Sequence, residues 1–255
     1  SDNKMNRIQN IFQNKTEKII PYLTAGYPIK EDTVNMVLAA EKSGAAMVEL
    51  GMPFSDPLAD GPVIQASSQK AIENGVTLNW ILKTVSDIRQ QSDIPLALMG
   101  YINPILKFGL TKFIKRCSKM GVDGLIIPDL PFDEAGDFVK SSKINKISPI
   151  LLVAPNTPNK KIQDISKLSG DLIYCVSILG ITGSGGLIGN ELKSYLKRVE
   201  KNTSCPFIVG FGIKEREEVI EINKMAHGAV IGSAIIKEIS KSDNAILTVK
   251  NYIKK

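Results

Sequence analysis

Histidine is almost missing from this 255-residue chain, and its scarcity closes off several chemistries at once. A lone His227 cannot build the usual histidine-rich zinc site. A Ser-His-Asp relay would depend on that single ring. Cysteine is sparse too: Cys117, Cys175 and Cys205 lie far apart, and no CxxC pair occurs. An odd count without framework spacing points to reduced thiols, packed as small core residues in a cytoplasmic protein. Arginine supplies five of the 32 cations, at scattered positions, and no basic block interleaves with aromatics. The net charge of +6 therefore reads as a lysine-rich solvated surface rather than a nucleic-acid footprint. No apolar run is long enough to span a bilayer, so a membrane protein is not expected. Neither GxxxxGK[ST] nor a complete GxGxxG after a strand is present, which disfavours ATP and dinucleotides. Linkers, low-complexity stretches and shifts of composition are all lacking, and one domain spanning 1–255 is expected.

What the chain does contain is a rhythm. Short apolar runs at 18–23, 46–50, 95–99, 124–127, 149–153, 172–176, 207–210 and 229–232 alternate with segments of helical period. Near-continuous hydrophobic runs are what a parallel sheet covered on both faces requires. Between them, Leu78, Ile81, Leu82 and Val85 share one helix face, as do Leu110, Phe113, Ile114 and Cys117. Val34, Val37 and Leu38 begin a third stripe. Thr77 is placed to cap a helix, and Pro62 fits a first turn. Alternation makes the fold α/β, and eight strands favour a closed β/α barrel over an open sheet. In such a barrel the chemistry sits in the loops at the carboxyl ends of the strands. His227, just before the last run, falls at the opposite end.

Two constellations stand at the chemical end. Glu49 lies late in the second run between apolar Val48 and Leu50, so it should point into the barrel mouth or its interior. A carboxyl there is desolvated and its pKa rises toward the range useful for proton transfer, although a structural carboxylate paired with lysine has the same pattern. The loop after it carries Asp56 and Asp60 among Pro53, Pro57 and Pro62, a stiff segment built to hold one geometry or, for Asp60, to cap a helix. The second constellation is glycine: 180–189 after the sixth run, Gly210 and Gly212 at the seventh, and Gly232 before Ser233 at the eighth. Glycines let amides approach an anion, and loops after strands seven and eight of β/α barrels commonly hold phosphate. Segment 180–189 also suits a lid that excludes water. No run has a lysine in its carboxyl-terminal half, so an imine mechanism lacks its nucleophile. Carboxylate proton transfer remains, with Tyr174 as a helper if it faces inward.

The run Glu49-Leu50-Gly51-Met52-Pro53-Phe54-Ser55-Asp56-Pro57-Leu58-Ala59-Asp60-Gly61-Pro62 with Gln65 resembles the tryptophan synthase alpha chain family. Tyr101-Ile102-Asn103-Pro104, Pro128-Asp129-Leu130-Pro131, Gly180-Ile181-Thr182-Gly183 and Gly210-Phe211-Gly212-Ile213 extend the resemblance over residues 20–236. It implies a single (β/α)8 TIM barrel that cleaves indole-3-glycerol phosphate to indole and glyceraldehyde 3-phosphate without a cofactor or metal. It implies Glu49 as general acid/base and Asp60 as the partner of the indole N–H, with Tyr174 beside Glu49 and Thr182 bonding Asp60 on lid closure. Gly183, Gly212, Gly232 and Ser233 would bind phosphate. Tyr22, Met99, Tyr101, Ile126 and Phe211 would surround the indole. The family pairs with a beta chain, usually as α2β2, and Asp56, Asn103 and Pro131 fall at positions facing that partner. The lid lacks an arginine that many relatives carry, and Tyr22 and Met99 stand where relatives often have phenylalanine and leucine. Division of labour between the acids requires Glu49 buried with a raised pKa, and Asp60 polar and ionised. The rival readings are a non-catalytic barrel that binds a phosphate ligand and regulates a partner, and a free-standing indole-producing lyase.

Overall fold

Eight parallel strands, β1 (Ile19–Thr24), β2 (Val48–Gly51), β3 (Leu96–Met99), β4 (Gly124–Ile126), β5 (Ser148–Val153), β6 (Ile173–Val176), β7 (Phe207–Gly210) and β8 (Ala229–Ile231), close in chain order. The computed structural model describes residues 5–177, 188–210 and 212–254. Closure is made by β1 against β8, with Ile19 opposite Ala229 and Pro21 opposite Ile231. Every predicted run holds a strand, with ends displaced by up to two residues.

Each strand alternates between two cores, which explains its unbroken hydrophobicity. Ile20, Met47, Ala97, Met99, Ile126, Ile150, Leu172, Tyr174, Ile208 and Val230 fill the barrel interior. Their neighbours, such as Leu23, Leu50, Leu98, Leu125, Val153, Cys175 and Val209, pack outward against the helices. Glu49 belongs to the inward set by register, opposite Tyr22 on β1 and Ala97 on β3.

The helices follow their stripes. Helix Leu78–Arg89 starts where the Thr77 side chain accepts a hydrogen bond from Trp80 N at 3.1 Å, and it buries Ile81, Leu82, Val85 and Ile88. Helix Leu110–Met120 buries Phe113, Ile114 and Cys117 and stops at Gly121, whose φ of 95° is left-handed. In helix Pro62–Glu73 the proline takes the first turn, and Gly61 occupies the cap position that the sequence had offered to Asp60. The Asp60 side chain is thereby free for other work.

The floor of the barrel is closed by a short helix, Arg7–Ile11, which the sequence pattern did not announce. Asn6 caps it reciprocally with Gln9, both bonds 2.8 Å. Ile8 drops into the barrel, fully buried, against Gly124, where a side chain would collide with it. Arg7 ties the plug to the barrel through Asp93 at 2.7 Å and Asp123 at 3.2 Å. Asp123 also accepts from Arg89 at 2.7 Å and from Leu96 N at 2.9 Å, so this buried carboxylate is paired and hydrogen-bonded as burial demands. His227, at this end, accepts from Phe207 N at 3.3 Å and packs edge-on to that ring.

Candidate active site

The carboxyl ends of the strands converge on one cavity. Tyr22 from β1, Glu49 from β2, Met99 from β3, Tyr174 from β6 and Val230 from β8 supply its floor and walls. Asp60 and Ile64 enter from the segment after β2, and Gly212, Gly232 and Ser233 from the turns after β7 and β8. The structure thus brings together Glu49, Asp60, Tyr22, Met99, Tyr174, Gly212, Gly232 and Ser233.

Glu49 is fully buried, and neither carboxyl oxygen has a hydrogen-bond partner among the described residues. Burial alone pushes its carboxyl up to about 8, because the ionised form has lost its water. Near neutral pH this group carries its proton. Asp60 is held differently. Its own N–H donates to Pro57 O at 3.0 Å, and its carbonyl accepts from Gln65 Nε2 at 2.7 Å. The Tyr101 hydroxyl accepts from Ala59 N at 2.9 Å and donates to the Asp60 carboxylate. Burial raises the Asp60 carboxyl above its ordinary range, and the bond from Tyr101 opposes the rise. Asp60 thus keeps a polar partner while burial withdraws it partly from water. Packing under the stiff loop removes more water than the residue types indicate, and one phenol remains to favour the charged form.

The anion-receptive wall is built from main chain. Gly212 has φ of 80°, a left-handed conformation that glycine adopts without strain. Helix Ser233–Ser240 begins at Gly232 and points its amino-terminal N–H groups toward the cavity mouth, where its dipole favours negative charge. Among the described residues no lysine or arginine lines this cavity, so an anion there would be met by amides and the Ser233 hydroxyl.

Other expected residues are distributed around this centre. Tyr101 stacks at 5.6 Å on Phe54 and reaches the cavity through Asp60. Ile126 lies in the barrel interior, opposite Met99 in register, and is not among the residues that line the cavity. Asp56, Asn103 and Pro131 are exposed, on the segments after β2, β3 and β4, at the same end as the site. Thr182, Gly183 and Phe211 lie outside the described residues, as does most of segment 180–189. Sequence reasoning missed the role of two glycines. A side chain at Gly51 would overlap the Tyr22 hydroxyl, and one at Gly210 the Tyr174 hydroxyl. Gly210 had been read with the anion loop; its place is to make room for a phenol. The signal was a glycine closing an apolar run, which the pattern alone does not assign to a partner. Asp129, within the resemblance motif, accepts from Ile102 N at 2.9 Å and so anchors the start of helix Ile102–Phe108.

Fold and site define a class: a β/α-barrel enzyme with buried carboxyl groups and an anion-receptive helix end at the carboxyl mouth. The family model for the tryptophan synthase alpha chain matches residues 8–254. A tryptophan synthase alpha chain of Petrotoga mobilis is 45% identical over 94% of this chain and 93% of its own. That of Flavobacterium psychrophilum is 41% identical over 98% of both. Among solved structures, the alpha subunit of Legionella pneumophila superposes with a TM-score of 0.91 at 32% identity, covering 98% of this chain and 97% of that one. A chain of the Pyrococcus furiosus tryptophan synthase α2β2 complex gives 0.88 at 37%, covering 93% and 96%. The chain belongs to the tryptophan synthase alpha chain family, lyases that cleave indole-3-glycerol phosphate to indole and glyceraldehyde 3-phosphate. Among the described residues no helix is long and apolar enough to cross a membrane.

Proposed function

We propose that Glu49 and Asp60 divide the acid–base work of this cleavage. The bond to break joins indole C3 to the glycerol chain. Protonation of C3 turns the ring into an electron sink. Loss of the glycerol hydroxyl proton then forms the aldehyde, and the electron pair of the breaking bond returns to the ring to give indole. Glu49, neutral through burial, delivers the proton to C3 and, once ionised, takes the one from the hydroxyl. Asp60 faces the ring nitrogen and stabilises the positive charge that develops there. Tyr174 lines the site beside Glu49, while Tyr22, Met99, Tyr101, Ile126 and Phe211 enclose the ring. Gly212, Gly232 and Ser233 hold the phosphate, joined by Gly183, with Thr182 meeting Asp60. The chemistry asks for no cofactor.

One observation carries the reading: a fully buried carboxyl without a partner among the described residues opens on the same cavity as Asp60 and Ser233. A purely structural carboxylate would be paired, as Asp123 is. Indole release from indole-3-glycerol phosphate tests it. Glu49→Gln and Asp60→Asn should each lower turnover by about 10² to 10⁴. A Glu49→Gln protein that released indole near the normal rate would remove Glu49 from the role.

The same proposal pairs the chain with a beta chain in an α2β2 assembly through the face bearing Asp56, Asn103 and Pro131. The α2β2 relative of Pyrococcus furiosus supports this, as does Leu58, 83% exposed between Asp56 and Asp60. Weak activity alone and strong activation by a beta chain are expected; full activity alone would favour the free-standing lyase. The closed barrel supports reading 1–255 as one domain, and three buried free thiols support a cytoplasmic site of action.

A further inference from the structure

The turn after β7 that carries Gly212 has a hollow beside it. A cleft of about 730 Å³ opens between this turn, helix Ser233–Ser240 and the last helix, Ala245–Lys254. Gly212 and Ser233 line both this cleft and the cavity that holds Glu49. In the turn Ile213 is buried, while Gly212, Lys214, Glu215 and Glu217 are exposed. Apolar packing thus fixes the segment at Ile213, and directed bonds must fix the rest. Three such bonds grip the main chain at Lys214 and Glu215. Glu218, buried in the first turn of helix Arg216–Asn223, accepts from Lys214 N at 2.6 Å and from Glu215 N at 2.9 Å through one carboxylate oxygen. The Tyr252 hydroxyl donates to the Lys214 carbonyl. The N–H and the C=O of Lys214 are therefore tied to two different helices. The base of the phenol is firm, because helix Ala245–Lys254 packs against helix Asp32–Lys42 and buries Val249 and Ile253. Burial, with the carboxylates of Glu215, Glu238 and Glu218, pushes the Tyr252 phenol up to about 12, so it keeps the proton it donates.

Given the reading of Gly212 as a phosphate contact above, we propose that Tyr252 and Glu218 are positioning residues for the substrate phosphate: they clamp the main chain at Lys214 from two helices and so hold the Gly212 amide where it meets the anion. Gly212 needs such a hold. Its φ of 80° is open to glycine without strain, but glycine has no side chain to lock it there. Lys214 is two residues along, and consecutive Cα atoms are held about 3.8 Å apart, so a displacement at Lys214 is passed back to Gly212. The negative charge of Glu218 is taken up by the two amides it accepts from. The last helix of the chain thereby takes part in substrate recognition without touching the substrate.

Binding of glycerol 3-phosphate and of indole to the full chain, each followed by NMR titration, separates this clamp from general stability, because only the first ligand carries the anion. With the clamp broken, fewer molecules have the turn in place, and the apparent Kd rises as that fraction falls. In Tyr252→Phe the Kd for glycerol 3-phosphate should rise about two- to tenfold, the range of one lost hydrogen bond, and the Kd for indole should not change. Glu218→Ala should act the same way. Glu218→Gln keeps an acceptor oxygen for the two amides and should restore binding to near that of the parent chain. Either position serves alone if a variant at the other does not fold. Gly212→Ala, strained at its φ of 80°, tests the phosphate contact itself and should also weaken glycerol 3-phosphate. Unchanged glycerol 3-phosphate binding in Tyr252→Phe and Glu218→Ala, with binding weakened in Gly212→Ala, overturns the clamp and leaves the phosphate contact standing. Equal weakening of both ligands overturns it as well, since that is a general loosening of the barrel. Unchanged binding in Gly212→Ala removes Gly212 from the phosphate, and the clamp with it.

Discussion

Glu49→Gln has a consequence for stability that needs no substrate. In the unfolded chain the Glu49 carboxyl titrates near 4.5, and in the fold burial lifts it to about 8. Between those values the folded state binds the proton that the unfolded state has released. Folding stability therefore declines as pH rises through this window, and it levels off above it, where both states are ionised. At about 1.4 kcal/mol per pH unit, the interval corresponds to a loss on the order of 5 kcal/mol. That value is an upper bound, since a buried carboxylate draws in water or rearranges its surroundings. Glutamine has the same shape and no proton to lose. Urea denaturation of the parent chain and of Glu49→Gln at pH 5 and pH 9 isolates the effect, because every other titration is common to both. The parent should lose at least about 2 kcal/mol more than the variant between the two pH values. Parallel losses would mean that Glu49 ionises in the fold as it does in water. The case for a neutral acid at the barrel mouth would then fail.

Ser233→Ala should raise KM for indole-3-glycerol phosphate while leaving kcat within a few fold, since a phosphate contact is shared by ground and transition states; steady-state kinetics check this, and a fall in kcat alone would contradict it. Gly210→Ala should drive the Tyr174 phenol out of its slot and lower stability by about 1–3 kcal/mol. A double-mutant cycle with Tyr174→Leu should recover much of that loss, and strict additivity would refute the contact. Ile8→Ala, at the opposite end, should cost about 2–5 kcal/mol in chemical denaturation and leave the KM of the folded enzyme unchanged.

Much of the architecture can be read along the chain because it rests on local periodicity. Runs such as 95–99 and 207–210 are apolar at every position, since residues facing the interior and residues facing the helices are both removed from water. The stripe Phe113, Ile114, Cys117 and the Thr77 cap are likewise local statements of one helix face and one helix start. Glu49 is legible for the same reason, as a carboxyl set between two strand residues that must be buried.

Tertiary structure decided what depends on contact between distant residues. Ile8 seals the barrel against Gly124, and Arg7 reaches Asp123, pairings that a five-residue helix does not foreshadow. Gly210 yields to Tyr174 from a neighbouring strand, and Asp60 is withdrawn from water by the loop it belongs to. Thr24 at the end of β1 meets Ser67, on a helix more than forty residues away, at 2.7 Å. Periodicity specifies which face of an element is buried. Which groups meet across the barrel, and which of them donates, follows only once closure of β1 against β8 has brought the strand ends around one cavity.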